Sequence, residues 1–216
     1  YSIQKQISVT FLIVDHKLRP ESTKEAKNVK RILKDHMILS EILTWKGNKP
    51  KKNIQSKARN KRYELIFQKC KKLKINNILL GHHQEDLIEN FFIRMLRGSG
   101  LKGLISLDKE TQIIKGKKIL RPLLDLKKND LVFVAKNVFN FYVKDPTNED
   151  DKYLRVRIRK LLKELKKDGL NEKKIFQTLL NLKYSNEVVK FYVSENLRKN
   201  TFFLEKDNKL VINKKF

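Results

Sequence analysis

Two histidines and three acids follow one another closely at residues 82–89, in the run GHHQEDLIEN. A short apolar strand is predicted to end at Gly81, and a helical pattern begins soon after His83. Asp86 and Glu89 are three positions apart, so both carboxylates lie on one face of that helix. Carboxylates in the first turn of a helix, just past a strand, stand where open α/β sheets bind ligands. We therefore predict a chemical site at this point of the chain.

The same helix has an apolar side that must be buried and a polar side that faces the site. Its buried stripe is predicted from helical spacing and consists of Leu87, Ile88, Phe91, Phe92, Met95 and Leu96. The other side is predicted to carry Asp86, Glu89, Asn90, Ile93 and Arg97. Glu85 is expected to face solvent.

Eight of the eleven arginines lie in four short segments, although lysine supplies most of the positive charge. A guanidinium offers a planar fork for phosphate or carboxylate that an ammonium cannot copy. These positions are therefore candidates for anion binding, and ordinary arginines on helix surfaces are the alternative. They are Arg59, Arg62, Arg94, Arg97, Arg121, Arg155, Arg157 and Arg159.

The composition indicates a partner with many negative charges. The 216 residues include 50 Lys and Arg against 24 Asp and Glu, a formal charge of +26. Such an excess points most often to nucleic acid. The single cysteine, Cys70, excludes an internal disulfide and a cysteine-only metal cluster and favours a cytoplasmic protein. No apolar run reaches the roughly 18 residues of a membrane span, so no membrane partner is predicted.

Strands and helices alternate along the first hundred residues. The predicted strands are residues 7–14, 37–45 and 77–80. The predicted helices are residues 23–35, 54–73 and the one that follows His83, and Ser22 with Glu25 is a capping box for the first of them. This alternation is typical of a doubly wound parallel sheet. An α/β fold is therefore predicted for this part.

The pattern changes after Gly100. The sequence predicts a hairpin over residues 112–120, a helix capped by Asp125 that runs through Phe139, and a short strand at 141–143. A basic helix over 151–167 and a mostly helical tail with a hairpin at 202–212 follow. We predict two domains, a sheet domain at 1–145 and a smaller basic helical region at 146–216.

Four separated motifs carry a family resemblance. They are VDHKLRPES at residues 14–22, ARNKRY at 58–63, GHH through LRGSGL at 81–101 and DPTN through RVRIR at 145–159, with a weaker fifth, LRPLL, at 120–124. Together they cover about residues 8–165. On these motifs the chain resembles the tRNA(Ile)-lysidine synthetase family, within the N-type ATP pyrophosphatase (PP-loop) superfamily.

The resemblance implies a reaction as well as a fold. ATP adenylates the C2 carbonyl oxygen of the wobble cytidine in an isoleucine tRNA with a CAU anticodon. Free L-lysine then attacks C2 through its ε-amine, and AMP leaves. The implied cofactors are ATP and Mg²⁺, and the implied partners are this tRNA and lysine. A homodimer is left open.

The resemblance also distributes roles among the candidate residues. Asp86, His83 and Glu89 are expected to be catalytic, and carboxylates near a triphosphate usually hold Mg²⁺, which makes Asp86 and Glu89 the expected metal ligands. The alternative to a metal-binding role is that both acids lie there because the helix dipole stabilises negative charge at its N-terminus. His83 could hydrogen-bond a phosphate, orient the nucleophile or act as a base, or it could be a partly buried structural histidine.

The expected ATP-binding residues are Asp15, His16, Arg59, Arg62 and Gly81, although Asp15 would equally suit a simple turn. Tyr63 could stack on a base or belong to the core. Contacts with tRNA phosphates are expected from the arginines of the third and later motifs. They are Arg97, Arg121, Arg155, Arg157 and Arg159.

The chain departs from the family at two points. The Ser-Gly-Gly-x-Asp-Ser loop that cradles the ATP phosphates does not occur in the sequence. We expect it just before the first strand, in a part of the protein that precedes Tyr1. Val156 stands where the family usually has Asn. Two other functions stay open. One is an inactive tRNA-binding remnant. The other is a tRNA thiolation enzyme, for which a single cysteine is unfavourable.

Overall fold

The computed structural model describes residues 7–50, 52–112, 116–142, 150–204 and 209–212. The elements follow in the order β1 (Phe11–Asp15), α1 (Ser22–Asp35), β2 (Ser40–Thr44), α2 (Ile54–Lys72), β3 (Asn77–Leu79), α3 (Gln84–Met95), α4 (Leu101–Leu104), β4 (Glu110–Gln112), β5 (Lys118–Leu120), α5 (Lys128–Phe139), α6 (Leu154–Lys167), α7 (Glu172–Asn200), β6 (Thr201–Leu204) and β7 (Lys209–Ile212).

Two compact units share these elements, and each is built from three separate segments. The first unit takes the described residues within 1–79, 112–120 and 132–142, and the second takes those within 80–111, 121–131 and 143–216. The chain therefore passes back and forth between the units, and β4 straddles one of the crossings. The predicted domain border at residues 145 and 146 lies outside the described residues.

The first unit is built on parallel strand pairs. β1 pairs with β2 so that Phe11 stands opposite Ser40 and Asp15 opposite Thr44, and α1 forms the crossover between them. β3 pairs in parallel with β5. Because β1 and β2 run in the same direction, their carboxyl ends coincide. The α/β fold with parallel strands predicted from the sequence is confirmed at these pairs.

The second unit has a hydrophobic core formed by three helices. Its buried members come in pairs at helical spacing from α3, α6 and α7: Ile88, Phe92, Ile158, Leu162, Ile175 and Leu179. Leu87 and Phe91 pack against this cluster, as predicted. Met95 and Leu96 were predicted to be buried but are 46 % and 60 % exposed, because the helix has passed the core by this point. The core sets α3 beside α6 and thereby positions the polar residues that these helices share.

The strands are shorter than the sequence predicts. β1 begins at Phe11, and the apolar residues before it, Ile7 and Val9, are about half exposed. β2 begins at Ser40 rather than at Met37. Met37 has a φ of +58° and follows directly on the end of α1, so the chain is still turning there. The observed helices α1, α2 and α6 agree with the predicted ones to within a few residues.

Two predicted helix caps are wrong. Ser22 does not cap α1, because its hydroxyl donates to Asp15 Oδ1 at 2.9 Å. Glu25, the other half of the predicted capping box, accepts from Arg19 Nη2 at 2.9 Å. Asp125 does not cap α5 either, since it forms an ion pair with Lys109 at 2.5 Å. In each case another charged or polar group competes more strongly for the side chain.

The hairpin predicted near the end of the chain is confirmed, since β6 and β7 pair antiparallel directly after α7. The predicted hairpin around Gly116 and the strand at 141–143 extend into residues 113–115 and 143–149, which lie outside the described residues, as does the DPTN motif. Of the helices that the structure describes, none has both the length and the apolar character to cross a membrane.

Candidate functional site

Asp15 ends β1 and lies at the carboxyl edge of the β1–β2 pair. Its carboxylate, only 2 % exposed, accepts hydrogen bonds from Thr23 Oγ1 at 2.7 Å and from Ser22 Oγ and the Lys17 N–H at 2.9 Å. Burial on its own would raise the pKa of Asp15, but these hydrogen bonds and the Lys17 charge outweigh it and lower the pKa. The ionised side chain therefore fastens the loop after β1 to the start of α1, which favours the structural role left open for it.

Replacing Asp15 by Asn is expected to lower the free energy of unfolding by about 1–2 kcal/mol at pH 7, because three charge-assisted hydrogen bonds become neutral. The lowered pKa means that the ionised form stabilises the fold above the unfolded pKa. That contribution is lost as the pH falls through the folded pKa, which lies below the unfolded one. Urea unfolding at pH 7 and pH 3 should show the difference between the two proteins shrinking in acid; an equal difference at both values would contradict this role.

His16 follows Asp15 and meets α2. Its Nε2 accepts a hydrogen bond from Arg62 Nε at 3.2 Å, so the neutral ring carries its proton on Nδ1. Burial, followed by the charges of Arg62 and Lys49, lowers the pKa of His16, and Asp15 opposes them only in part. Nδ1 is buried, and the described residues give it no hydrogen-bond partner. The structure thus brings together three of the predicted ATP-binding residues, Asp15, His16 and Arg62.

Arg59 lies one turn before Arg62 on α2 and is exposed. Its guanidinium is 5.2 Å from the centroid of the Tyr63 ring, and its Nη2 is 3.3 Å from the Tyr63 hydroxyl. The Tyr63 ring is also 5.7 Å from that of Phe67. Tyr63 therefore packs along its own helix and holds the Arg59 side chain on the surface of α2.

His83 begins α3 in the second unit and is held by two acids. Its backbone N–H donates to Asp86 Oδ2 at 3.1 Å. Its ring Nδ1 is 2.9 Å from Glu85 Oε2, and its Nε2 is 3.4 Å from Asp86 Oδ2. The imidazole is therefore fixed between two carboxylates, in an arrangement that could bind or transfer a proton.

Glu85 was predicted to face solvent, and its side chain is 33 % exposed, but the prediction missed the hydrogen bonds that fix its carboxylate. Besides the His83 ring, its carboxylate accepts the Lys128 backbone N–H at 3.0 and 3.1 Å, at the start of α5. Lys128 is 43 positions further along the chain, so local sequence gave no signal of this contact. Glu85 thus orients His83 from a fixed position at the N-terminus of α5.

Glu89 forms an ion pair with Arg159 across α3 and α6. Arg159 Nε contacts Glu89 Oε1, and its Nη2 lies 3.3 Å from Oε2. The carboxylate of Glu89 is 3 % exposed, whereas the guanidinium side chain is 31 % exposed. Glu89 was predicted on the polar side of α3, but α6 covers it. Arg159, predicted to contact tRNA, is engaged here instead.

Asp86 and Glu89 on α3 differ in how well they could serve as ligands of a metal ion. Mg²⁺ is commonly bound through one or two carboxylates together with phosphates, and Asp86 would suit this at the helix start. Glu89 does not fit, because Arg159 already occupies both of its oxygens. In the part of the chain that the structure describes, no three His, Cys, Asp or Glu side chains come together as a metal site.

Arg121 is 5 % exposed and belongs to the interior of the second unit. Its Nη1 donates to the Asp108 carbonyl at 2.7 Å and to Thr111 Oγ1 at 2.8 Å. A buried guanidinium that is bonded to its own chain cannot reach an RNA phosphate, so its position is unfavourable to the tRNA contact predicted for it.

The remaining predicted residues are accessible. Arg97 is exposed after α3, and on α6 Arg157 is exposed and Arg155 partly exposed. Arg157 Nη1 lies 3.3 Å from the Asp151 carbonyl, at the start of α6. A Cβ added to Gly81 would meet nothing within 4 Å, so a ligand can approach the backbone there without hindrance.

A cavity of about 390 Å³ in the second unit is separate from these residues. Its wall is mainly apolar, with Leu87, Leu124 and Leu179 among the contributors, and an ion pair of Lys183 with Asp108 at 2.5 Å lies in it. None of the predicted site residues lines this cavity. Its apolar wall does not favour a phosphate.

Comparison with known proteins identifies the family of this chain. The sequence profile of the PP-loop domain matches residues 1–165. A tRNA(Ile)-lysidine synthase of Orientia tsutsugamushi (strain Boryong) is 39 % identical over 157 residues, which are 73 % of this chain and 35 % of the relative. The tRNA(Ile)-lysidine synthase of Bradyrhizobium diazoefficiens is 33 % identical over 188 residues, which are 87 % of this chain and 52 % of the relative. The chain thus spans about half or less of these relatives.

Among solved structures, the U34-tRNA thiolase NcsA from Methanococcus maripaludis, with its [4Fe-4S] cluster, is similar to the chain with a TM-score of 0.67. The similarity covers 85 % of this chain and 64 % of the thiolase, at 16 % sequence identity. At this identity the likeness concerns the fold, which it confirms.

Proposed function

The chain belongs to the PP-loop domain family, and on this premise we propose that it forms part of a ligase that attaches lysine to the wobble cytidine of the isoleucine tRNA with a CAU anticodon. The observation that carries the proposal is the 33–39 % identity, over 73–87 % of the chain, to proteins named tRNA(Ile)-lysidine synthase. The residues proposed to act form two separate sets, one in the first unit at the carboxyl edge of β1 and β2 and one in the second unit at the start of α3. The cytoplasm is the proposed location.

The proposed reaction has two steps. The cytidine O2 attacks the α-phosphorus of ATP, forming an O2–phosphorus bond and releasing pyrophosphate. The ε-nitrogen of free lysine then attacks C2, the C2–O2 bond breaks, and AMP leaves with that oxygen. Mg²⁺ bound with ATP would offset phosphate charge, with Asp86 as the residue in the described part that would hold it.

The chain's own residues have separate tasks in this proposal. His16 and Arg62 bind the nucleotide, and Asp15 fixes the loop that carries His16. His83, whose ring is held by Glu85 and Asp86, accepts a proton from the ε-ammonium group of lysine, and the neutral amine that results attacks C2. Glu89 and Arg159 position α3 against α6, and the exposed Arg97 and Arg157 together with the partly exposed Arg155 contact tRNA phosphates.

The test uses the product of the complete open reading frame that encodes this chain. It is incubated with radiolabelled lysine, ATP and transcripts of the isoleucine tRNA, with a methionine tRNA as the control substrate. We expect label in the isoleucine tRNA alone, and AMP release that depends on both lysine and tRNA. Binding of the tRNA without entry of lysine would favour the inactive remnant and overturn the ligase.

Thiolation of tRNA is the less favoured function. A [4Fe-4S] cluster needs several cysteine thiolates, and Cys70 is the single cysteine of this sequence. Cys70 is 3 % exposed, and burial raises the pKa of its thiol, with Lys117 offsetting this only in part. A buried, protonated thiol is a poor nucleophile and a poor metal ligand.

A further inference from the structure

The outer face of α7, in the second unit, is apolar and exposed. The helix buries Ile175, Leu179 and Asn186 on the side that meets the core. Four apolar residues occupy the opposite side, where positions i, i+4, i+7 and i+8 form one continuous face. They are Tyr184, Val188, Phe191 and Tyr192, each between 55 % and 67 % exposed. We name these four residues the α7 seam. Apolar side chains that share an exposed face mark a surface for contact with another chain.

The stretch that carries the seam has little charge, although the chain is strongly basic. Residues 184–197 contain Lys190 against Glu187 and Glu195, a formal charge of −1, whereas the whole chain carries +26. Lys190 pairs with Glu187 at 2.7 Å on the same helix. Such a surface offers a polyanion no counter-charge, whereas two copies of a basic chain repel each other least where their charge is low. The charge pattern therefore favours a second copy over RNA.

The order of residues along the seam suits an antiparallel copy of itself. With a two-fold axis at Val188, this residue meets Val188 of the partner subunit, and Tyr184 meets Phe191 of the partner subunit. Such an interface is isologous, so the aromatic pair forms twice, once on each side of the axis.

The polar residues beyond the seam match in the same register. Asn181 then faces Glu195 of the partner subunit, and Gln177 faces Arg198 of the partner subunit, so an uncharged amide meets each charged side chain. A parallel copy would instead set each of these charges beside its own equivalent, which is unfavourable. Glu195 and Arg198 also pair with each other at 3.1 Å. The antiparallel arrangement is therefore the one that the charges allow.

The seam is large enough to contribute substantially to a stable dimer. Its three aromatic side chains are about two-thirds exposed and together offer on the order of 400 Å². A standard interface buries roughly 800 Å² on each partner. The aromatic residues would therefore supply about half of this area, and Val188 with the polar residues beside the seam would add to it.

We infer that the α7 seam binds a second copy of this chain, with the two α7 helices antiparallel and the two-fold axis near Val188. The residues of the proposed reaction all lie outside α7. The dimer and the proposed function can therefore fail independently of each other.

The test is the molar mass of the complete protein in solution, measured by light scattering after gel filtration over loading concentrations of about 1–100 μM. We expect a dimer. V188E sets two carboxylates opposite each other at the axis and should raise the dissociation constant by about 100-fold or more. V188A removes only apolar contact and should raise it by about tenfold.

A charge swap tests the register. V188K alone should also dissociate, because two ammonium groups then meet at the axis. An equimolar mixture of V188E and V188K should form a dimer again, since a carboxylate then faces an ammonium group. A mixture that remains monomeric would contradict an axis at Val188.

Val134 on α5 offers a matched control, because it is also an exposed valine on a helix, at 51 %. V134E should remain a dimer, and circular dichroism checks that all variants fold. Equal dissociation of V134E and V188E would reduce the effect to added charge. A wild-type protein that is monomeric at the highest concentration, or a dimer that V188E leaves intact, would overturn the inference. Loss of tRNA binding in V188E at unchanged molar mass would assign the seam to RNA instead.

Discussion

Replacing Asp86 by Asn should lower the rate of lysine incorporation by about 100-fold or more, the range found when a positioned acid or base is lost. Asn retains the shape and an oxygen that can accept the His83 N–H, so α3 should still begin at the same residue. What disappears is the negative charge 3.4 Å from His83 Nε2. The rate is measured in single turnovers with saturating tRNA and lysine, and pyrophosphate exchange shows whether adenylation is the step affected.

Asp130 offers a matched control for this substitution. It is an exposed acid in the first turn of α5, a helix of 12 residues like α3. D130N therefore changes charge near a helix start of the same length, and it should leave the rate within about twofold, since the helix dipole is worth well under 1 kcal/mol at an exposed site. If D86N retains most of its activity, or D130N loses as much, Asp86 has no chemical role.

The ion pair between Glu89 and Arg159 should give the largest effects on stability, and these should be unequal. R159M leaves the Glu89 carboxylate, 3 % exposed, without its partner, and we expect a loss of about 3 kcal/mol in the free energy of unfolding. E89M should cost less, because Arg159 is 31 % exposed and can turn to water. The added Met side chain can also join the cluster around Ile88 and Phe92.

The double variant E89M/R159M completes the cycle. It should recover much of the stability lost in R159M, because no charge remains buried. Urea unfolding measures all four proteins, and additive losses would contradict a direct coupling. Activity separates the two roles of Glu89, since an inactive but stable double variant would show that the carboxylate or guanidinium does more than hold α3 against α6.

The sequence predicts those parts of the fold that depend on local pattern. The apolar spacing of α3 and α6, the parallel arrangement of β1 and β2 and the hairpin after α7 follow from periodicity and turn residues alone. Local pattern also identified His83 and Asp86 as neighbours, because they lie within one turn. The roles of all these residues remain predictions.

Side-chain partners outside the periodic pattern of a helix or strand were beyond this kind of inference. Glu89 has the spacing of a polar surface residue, and only Arg159, 70 positions away, explains its burial. Ser22 and Glu25 match a capping box, but Asp15 and Arg19 attract their side chains. Nothing in the local sequence distinguishes Arg121 from the exposed arginines, yet its guanidinium is buried and donates to Thr111 and to the Asp108 carbonyl. In each case a tertiary contact overrides a correct local rule.

The interleaved segments of the two units have a consequence for synthesis on the ribosome. Among the described strands, β3 has no partner until β5 has been made, about forty positions later, and α3 has no α6 to cover its core face until residue 154 has emerged. Translation at roughly 5–20 residues per second leaves these faces open for several seconds. The first unit therefore cannot close before its last segment, which ends at residue 142, has been translated, and the second cannot close before α6 and α7 have emerged. The nascent chain should depend on chaperones or on early hydrophobic collapse during that interval.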